Sequence, residues 1–218
     1  MRILIWSIFL LSSYLLGAVP GGYLLTRWFH HFDIRESGSG NIGFTNVLRS
    51  AGPATAVFTL LLDGAKGWAA VALLAPAAFN QLGGSLEIYR ISASLLVVGG
   101  HIFPVFLGFR GGKGVASGAG VLLATSPPAF LFSLLIWVLL VIWFRYVSIA
   151  SLVVIILLPV MIYGEGQGPA ATAFFTLLAL LVIIRHAGNL RRLLAGREYK
   201  IGEKAIFSNP DYSRTKNI

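Results

Sequence analysis

Lys113 stands in a run dominated by glycine, Gly108-Phe-Arg-Gly-Gly-Lys113-Gly114. Glycines expose backbone N–H groups and accept the positive φ angles that aim them at an oxyanion. A lysine among them adds a compact cation. Two further segments share this character: Ser37-Gly-Ser-Gly-Asn-Ile-Gly-Phe-Thr-Asn-Val-Leu-Arg49, and His186-Ala-Gly-Asn-Leu-Arg-Arg192 followed by Gly196-Arg-Glu198. Arg49, Arg110 and Arg191 offer charge-assisted hydrogen bonds, and Ser39, Asn41, Thr45, Asn46 and Asn189 offer neutral donors. Together they suit the binding of phosphate. Any one of these runs alone reads equally well as a polar loop; three on one face read as a site.

Several sharper chemistries are excluded. The glycine run is not a nucleotide P-loop, because its spacing is one residue short and Gly114 replaces Ser or Thr. No histidine has an aspartate at the His-x4-Asp spacing of thioester-using acyltransferases, and no His-Glu-x-x-His is present. With no cysteine, four histidines and eight acids, there is no disulfide, no thiol nucleophile and no metal-ligand cluster. No metal site is expected.

The elements that must position these residues are membrane spans. Hydrophobic residues make up 56% of the 218 and charged residues only 11%, where a soluble domain carries about 25% charge. A span needs about 20 apolar residues. The expected class is therefore an all-α integral membrane protein with seven transmembrane segments: 3–28, 53–79, 88–109, 115–126, 128–144, 147–163 and 169–187. The fourth is short and rich in Gly, Ala and Ser, and reads as a partial or buried helix. Residues 1–207 form a single membrane domain and 208–218 a short polar cytoplasmic tail. The first segment is too long for a signal peptide and lacks a basic cluster before it.

Charge sets the direction. With the N-terminus outside, 14 of the 17 basic residues fall in inner loops or the cytoplasmic C-terminal part, Arg2 and Arg90 lie outside, and Lys66 lies within a span. Removing the fourth segment would put Arg145 and the tail outside. The formal net charge of +9 therefore reads as cytoplasmic loop charge facing anionic lipid, not as a nucleic-acid surface. All three polar clusters fall on the inner face.

The other polar residues have plainer readings. Asp63 and Lys66 read as an internal ion pair that lets their span insert, and His30-His31 as an interfacial pair. His101, in Gly99-Gly-His-Ile-Phe-Pro104, lies close to the inner surface and reads as a candidate site residue. Gly17 to Gly21 and Gly114 to Gly118 are small-xxx-small patterns of helix packing.

The three clusters resemble the signature segments of the bacterial acyl-phosphate:glycerol-3-phosphate acyltransferases, the PlsY family. Ser39-Gly-Asn-Ile-Gly-Phe-Thr-Asn-Val-Leu-Arg49 is similar to the first, Gly100-His-Ile-Phe-Pro-Val-Phe-Leu-Gly-Phe-Arg-Gly-Gly-Lys-Gly114 to the second, and His186 to Glu198 to the third. The likeness runs from residue 1 to about Phe207 and includes Asp63-Gly-Ala-Lys-Gly67. Phe44 stands where alanine is usual, and Arg110 where the family has its first lysine.

The resemblance implies transfer of a fatty acyl chain from acyl phosphate to the 1-hydroxyl of glycerol 3-phosphate, giving lysophosphatidic acid in the bacterial inner membrane. It implies that Ser39, Arg49, Lys113, His186 and Asn189 bind phosphate and orient the acceptor, with Thr45 and Asn46 in support. Gly111, Gly112 and Gly114 would hold the acyl phosphate through backbone N–H groups. The soluble acyl-phosphate-producing enzyme, PlsX, is an implied partner. For the proton of the attacking hydroxyl, three acceptors stand open: His101, His186 and a substrate phosphate. The last is favoured, because the sequence shows no carboxylate placed to orient either histidine. A small transporter of phosphorylated solutes is the alternative class; it should show an inverted repeat and polar groups at the midplane.

Overall fold

A computed structural model describes residues 1–204, and the expected polar tail at 208–218 lies outside the described residues. Eleven α-helices run in order: α1 Arg2–Ala18, α2 Gly21–His30, α3 Phe44–Ala51, α4 Pro53–Ala69, α5 Ala75–Leu82, α6 Leu86–Ile102, α7 Val115–Thr125, α8 Pro127–Phe144, α9 Val147–Gly164, α10 Pro169–Arg185 and α11 Ala187–Leu194. A π-helical stretch, Ala70–Leu74, joins α4 to α5. No strand occurs among the described residues.

Helix boundaries follow local chemistry. Pro53, Pro127 and Pro169 open their helices at the first position, where the missing N–H would be unpaired anyway. Ser126 caps α8 by accepting from the Ala129 N–H at 3.2 Å. Arg145, in the left-handed region at φ 62°, ends α8 and turns the chain into α9. Both α8 and α9 are apolar all round, and outward residues such as Ile142 and Trp143 are 72% and 83% exposed. Such surfaces suit lipid rather than water.

Among the described residues, four helical stretches are long and apolar enough to cross a membrane: Pro53–Leu82, Leu86–Leu107, Pro127–Phe144 and Val147–Gly164. The count rises to six if two bent pairs each form one span. Two features depart from the expected segments. The first is broken at Val19-Pro20, and α1 and α2 meet at 44°, because Pro20 cannot continue the hydrogen-bond ladder. The fourth is an 11-residue helix, α7, about 16 Å long at 1.5 Å per residue. That is about half of a 30 Å hydrocarbon core.

One large apolar core, with Phe9, Val71, Val97, Ile102, Val121, Ile162 and Phe175, fills the bundle centre. A smaller one, with Phe32, Ile34, Ile42, Val47 and Leu107, lies under the loop before α3. Glycines set the closest crossings. A Cβ on Gly17 would overlap the Val97 carbonyl of α6, and one on Gly100 the Tyr14 carbonyl of α1. Gly67 meets the Ser117 carbonyl, and Gly120 the Gly64 carbonyl, where α4 crosses α7. Gly17 packs as its pattern suggests, but Gly21, Gly114 and Gly118 face side chains, and the α4–α7 contact uses glycines outside either pattern.

The α4–α7 crossing sets the position of α7 and therefore of Lys113 before it. Gly67→Val should force the two backbones apart and destabilise the fold by at least the 1–3 kcal/mol of overpacking. Thermal unfolding in detergent micelles should show a clear drop. Gly99→Ala, whose added Cβ meets nothing within 4 Å, should leave the midpoint unchanged or slightly raised.

Candidate active site

The three polar clusters converge on one cavity at one end of the bundle. It is lined by Ser39, Asn41, Thr45, Asn46, Arg49, His101, Lys113, His186 and Asn189, together with Phe44, Asp63, Ser148 and Glu198. The first turns of α3, α7, α9 and α11 all reach its wall, through Thr45, Val115 and Ala116, Ser148, and Asn189. Residues from the first turns of four helices thus line one space. Each helix start presents unpaired N–H donors and partial positive charge, a field built for an anion.

Lys113 donates to the Asn189 side-chain oxygen. Asn189 in turn donates to Glu198 Oε1 at 2.6 Å, and Ser148 Oγ meets the same oxygen at 2.9 Å. Arg192 Nε donates to Glu198 Oε2 at 2.8 Å. The result is a fixed relay: Arg192, Glu198, Asn189, Lys113. Glu198 belongs to the segment after α11, which straps back across this end of the molecule. Ile201 N–H donates to the Arg145 carbonyl at 2.8 Å, and Arg49 donates to the Tyr199 carbonyl at 3.3 Å while lying over its ring.

Burial pushes the Lys113 ammonium down to about 8, Glu198 opposes that, and Arg192, Arg49 and Arg185 add to it. Burial likewise lowers Arg49, against the carboxylate of Glu198. Of the two carboxylates on the wall, Asp63 is paired with Lys66 and Glu198 with Arg192, so Lys113 and Arg49 leave net positive charge in the cavity. The buried Arg49 Nε has no hydrogen-bond partner among the described residues, so one donor remains for a ligand.

The other sequence candidates have distinct placements. Ser39 lines the cavity and its N–H donates to Asn46 Oδ1 at 2.9 Å. Asn41 closes a turn by accepting from the Gly43 N–H at 2.9 Å. Thr45 lines the wall from the first turn of α3. His186 Nδ1 donates to the Val182 carbonyl at 2.8 Å, which leaves Nε2 as the acceptor of the neutral ring.

Some expectations require correction. The N–H groups of Gly111 and Gly112 are bonded to the Ile102 and His101 carbonyls at 3.1 and 3.0 Å, so they are not free donors here. The free amides belong to the start of α7, just past Gly114, whose φ of 87° turns the chain into that helix. Gly111 and Gly112 are glycine for space: a Cβ on either would overlap His101. The Asn46 amide donates to the carbonyls of Ile34, Ser37 and Asn41 at 3.2, 2.9 and 2.9 Å. It ties the loop together and has no donor left for substrate. Arg110 and Arg191 are exposed and do not line the cavity; Arg192 supplies the ion pair instead. A carboxylate does approach a histidine: Asp63 Oδ1 lies 3.5 Å from His101 Nδ1. Sequence reasoning also gave Glu198 no role and did not name Ser148. Glu198 at the end of the third cluster was the available signal.

An apolar groove continues from the polar cavity. They share Leu60, Val115, Ala116, Trp137 and Ser151, and the groove runs on between Leu122, Phe130, Leu134, Ile155 and Leu158.

Fold and site together define a helical membrane protein in which a polar cavity bearing lysine and arginine adjoins an apolar groove. The chain belongs to the glycerol-3-phosphate acyltransferase family, whose model matches residues 7–196. It is 44% identical over 206 residues to the glycerol-3-phosphate acyltransferase of Rhodospirillum rubrum, covering 94% of each chain. Two crystal structures of PlsY (YgiH), an integral membrane glycerol 3-phosphate acyltransferase, share the fold. The glycerol 3-phosphate form aligns with TM-score 0.80 at 37% identity, over 89% of this chain and 94% of that one. The lysophosphatidic acid form aligns with TM-score 0.77 at 35% identity, with the same coverage.

Anion binding needs Lys113 charged, so kcat/KM for acyl transfer should fall as pH rises through about 8. In Glu198→Gln the limb should move to lower pH, because the carboxylate that supports the ammonium is gone. The same variant should lose about ten- to a hundredfold in kcat/KM below the limb, the worth of a charged hydrogen bond. An unmoved limb would exclude the relay.

Proposed function

We propose that this chain transfers a fatty acyl group from acyl phosphate to the 1-hydroxyl of glycerol 3-phosphate, releasing lysophosphatidic acid and inorganic phosphate. The observation that carries this is the junction of a cationic cavity with an apolar groove across the shared wall of Leu60, Val115, Ala116, Trp137 and Ser151. An acyl phosphate has both halves: an acyl chain for the groove and a phosphate for the cavity. Glycerol 3-phosphate brings a second phosphate to the same cations.

Acyl phosphate is an activated mixed anhydride, so the site has to place and neutralise rather than to supply a nucleophile. The acceptor hydroxyl oxygen attacks the acyl carbon, the bond from that carbon to the phosphate oxygen breaks, and phosphate leaves. Lys113, Arg49 and the amides opening α7 balance the growing charge. Ser39, Asn41, Thr45 and Asn189 orient the acceptor. His186 binds from the start of α11. The hydroxyl proton passes to a substrate phosphate, whose second pKa is about 6; His186 has its Nδ1 on a carbonyl and no carboxylate behind it to strengthen it as a base.

The membrane is the bacterial inner membrane, with the cavity on its cytoplasmic side, where glycerol 3-phosphate and PlsX-made acyl phosphate arrive. Seven segments cross, the N-terminus outside. α7 supports this despite its length. It starts beside Lys113 and ends at Thr125, which shares a pocket with Glu87, Arg90 and Gln167 at the opposite end of the bundle. The glycine run before α7 covers the remaining depth, which sets the cavity below the membrane surface.

Purified protein given acyl phosphate and glycerol 3-phosphate should release phosphate, acyl-CoA should not replace the donor, and Lys113→Ala should abolish turnover while remaining folded. Turnover with acyl-CoA, or a Lys113→Ala enzyme of near-normal rate, would overturn the reading. For direction, the chain has no cysteine, so one introduced at Glu165 should react with impermeant reagent only from outside. Labelling from the cytoplasm alone would reverse the topology.

A further inference from the structure

Three ionisable side chains meet inside the bundle, on α4 and α6. Asp63 Oδ1 lies 2.8 Å from Lys66 Nζ and 3.5 Å from His101 Nδ1. All three are buried. A simple ion pair that carries Lys66 through an apolar span needs no third member. Lys66 has a second anchor, moreover: it donates at 3.0 Å to the Val19 carbonyl, which the break at Pro20 leaves outside a helical ladder.

His101 is tied at its other side to the glycine loop. A Cβ on Gly112 would fall on its Nε2, so ring and loop backbone are in direct contact. The His101 carbonyl accepts from the Gly112 N–H at 3.0 Å, and the next carbonyl, of Ile102, accepts from Gly111 at 3.1 Å. Lys113 follows at once. The buried Nδ1 makes no hydrogen bond among the described residues, and the Asp63 carboxylate 3.5 Å away is the charge that compensates it; removing that charge leaves a buried polar nitrogen uncompensated, which is costly. The ring would turn, and the loop resting on it would lose its support.

We propose that Asp63 is a positioning residue for acyl transfer: it fixes the ring of His101, and His101 fixes the glycine loop that carries Lys113 into the cavity. The inference rests on the acyl-transfer reading above. Asp63 acts through His101 and Lys113 and takes no part in bond making.

The test uses the full-length protein with Asp63→Asn, His101→Gln and the pair combined. Hydrogen exchange over residues 108–114 reads the loop without reference to turnover, so a failure of the acyl-transfer reading would appear only in the wild-type assay. Exchange of the Gly111 and Gly112 amides should quicken about tenfold in each single variant. Turnover should fall between ten- and a hundredfold, the scale of an ångström-sized misplacement. The combined variant should be no worse than the worse single, since both act on one contact. Asp63→Asn with Lys66→Met removes both charges: it should stay slow if Asp63 works through His101, and recover if Asp63 only balances Lys66. If Asp63→Asn alone does not fold, this neutral pair takes its place, and slow turnover with fast loop exchange supports the proposal. Wild-type loop exchange in a folded Asp63 variant, additive losses, or recovery in the neutral pair would each overturn it.

Discussion

Lys113 is a half-buried, desolvated ammonium, and the rest of the site is arranged around the cost of keeping it there. Removing a cation from water is expensive unless hydrogen bonds and opposite charge replace the lost solvation. Here the replacement is indirect. Asn189 accepts from the lysine, and Glu198 holds Asn189. The carboxylate is near enough to support the charge without touching it, so the ammonium is not locked into a closed salt bridge. Arg49 and the helix N-termini add positive potential, since Asp63 and Glu198 on the wall already have Lys66 and Arg192 as partners. The electrostatics are left open to an anion, for which binding and charge compensation would be one event.

The packing serves that arrangement. α7 approaches α4 closely because Gly64, Gly67 and Gly120 carry no side chain, and this close crossing holds the N-terminus of α7 against the cavity. The small core around Ile34, Ile42 and Val47 fixes the loop before α3, with Asn46 as its polar tie. In a bilayer no water can satisfy a stray amide. The loops at this end therefore bond to themselves first, and what remains is available to ligand.

Much of this was visible in the sequence, because polar residues in so apolar a chain have few innocent uses. Ser39, Arg49, Lys113, His186 and Asn189 stood out by type and did come together. What could not be read was anything set by the crossing of distant helices. Asp63 and Lys66 are three apart, so their pairing was legible; the approach of His101 depends on how α4 meets α6. The glycines around Lys113 look like free donors in the sequence, and only the fold shows that Gly111 and Gly112 have already given their N–H groups to the turn. Pro20 sat in plain view, yet the apolar run around it hid the break between α1 and α2. Arg191 and Arg192 are adjacent, and only the rotation of α11 decides which one meets Glu198.

The strap that bears Glu198 also sets an order of events. A chain leaves the ribosome from its N-terminus, so residues 39–49 and 101–116 enter the membrane long before residue 198 is made. Until then Lys113 and Arg49 have neither Glu198 nor Tyr199, their partners across that end of the bundle. The last helix must be in place, and the strap folded back over Arg145, before the cations are held. A chain cut before residue 198 therefore has every helix that shapes the cavity and still lacks the carboxylate that Asn189 and Arg192 hold beside Lys113.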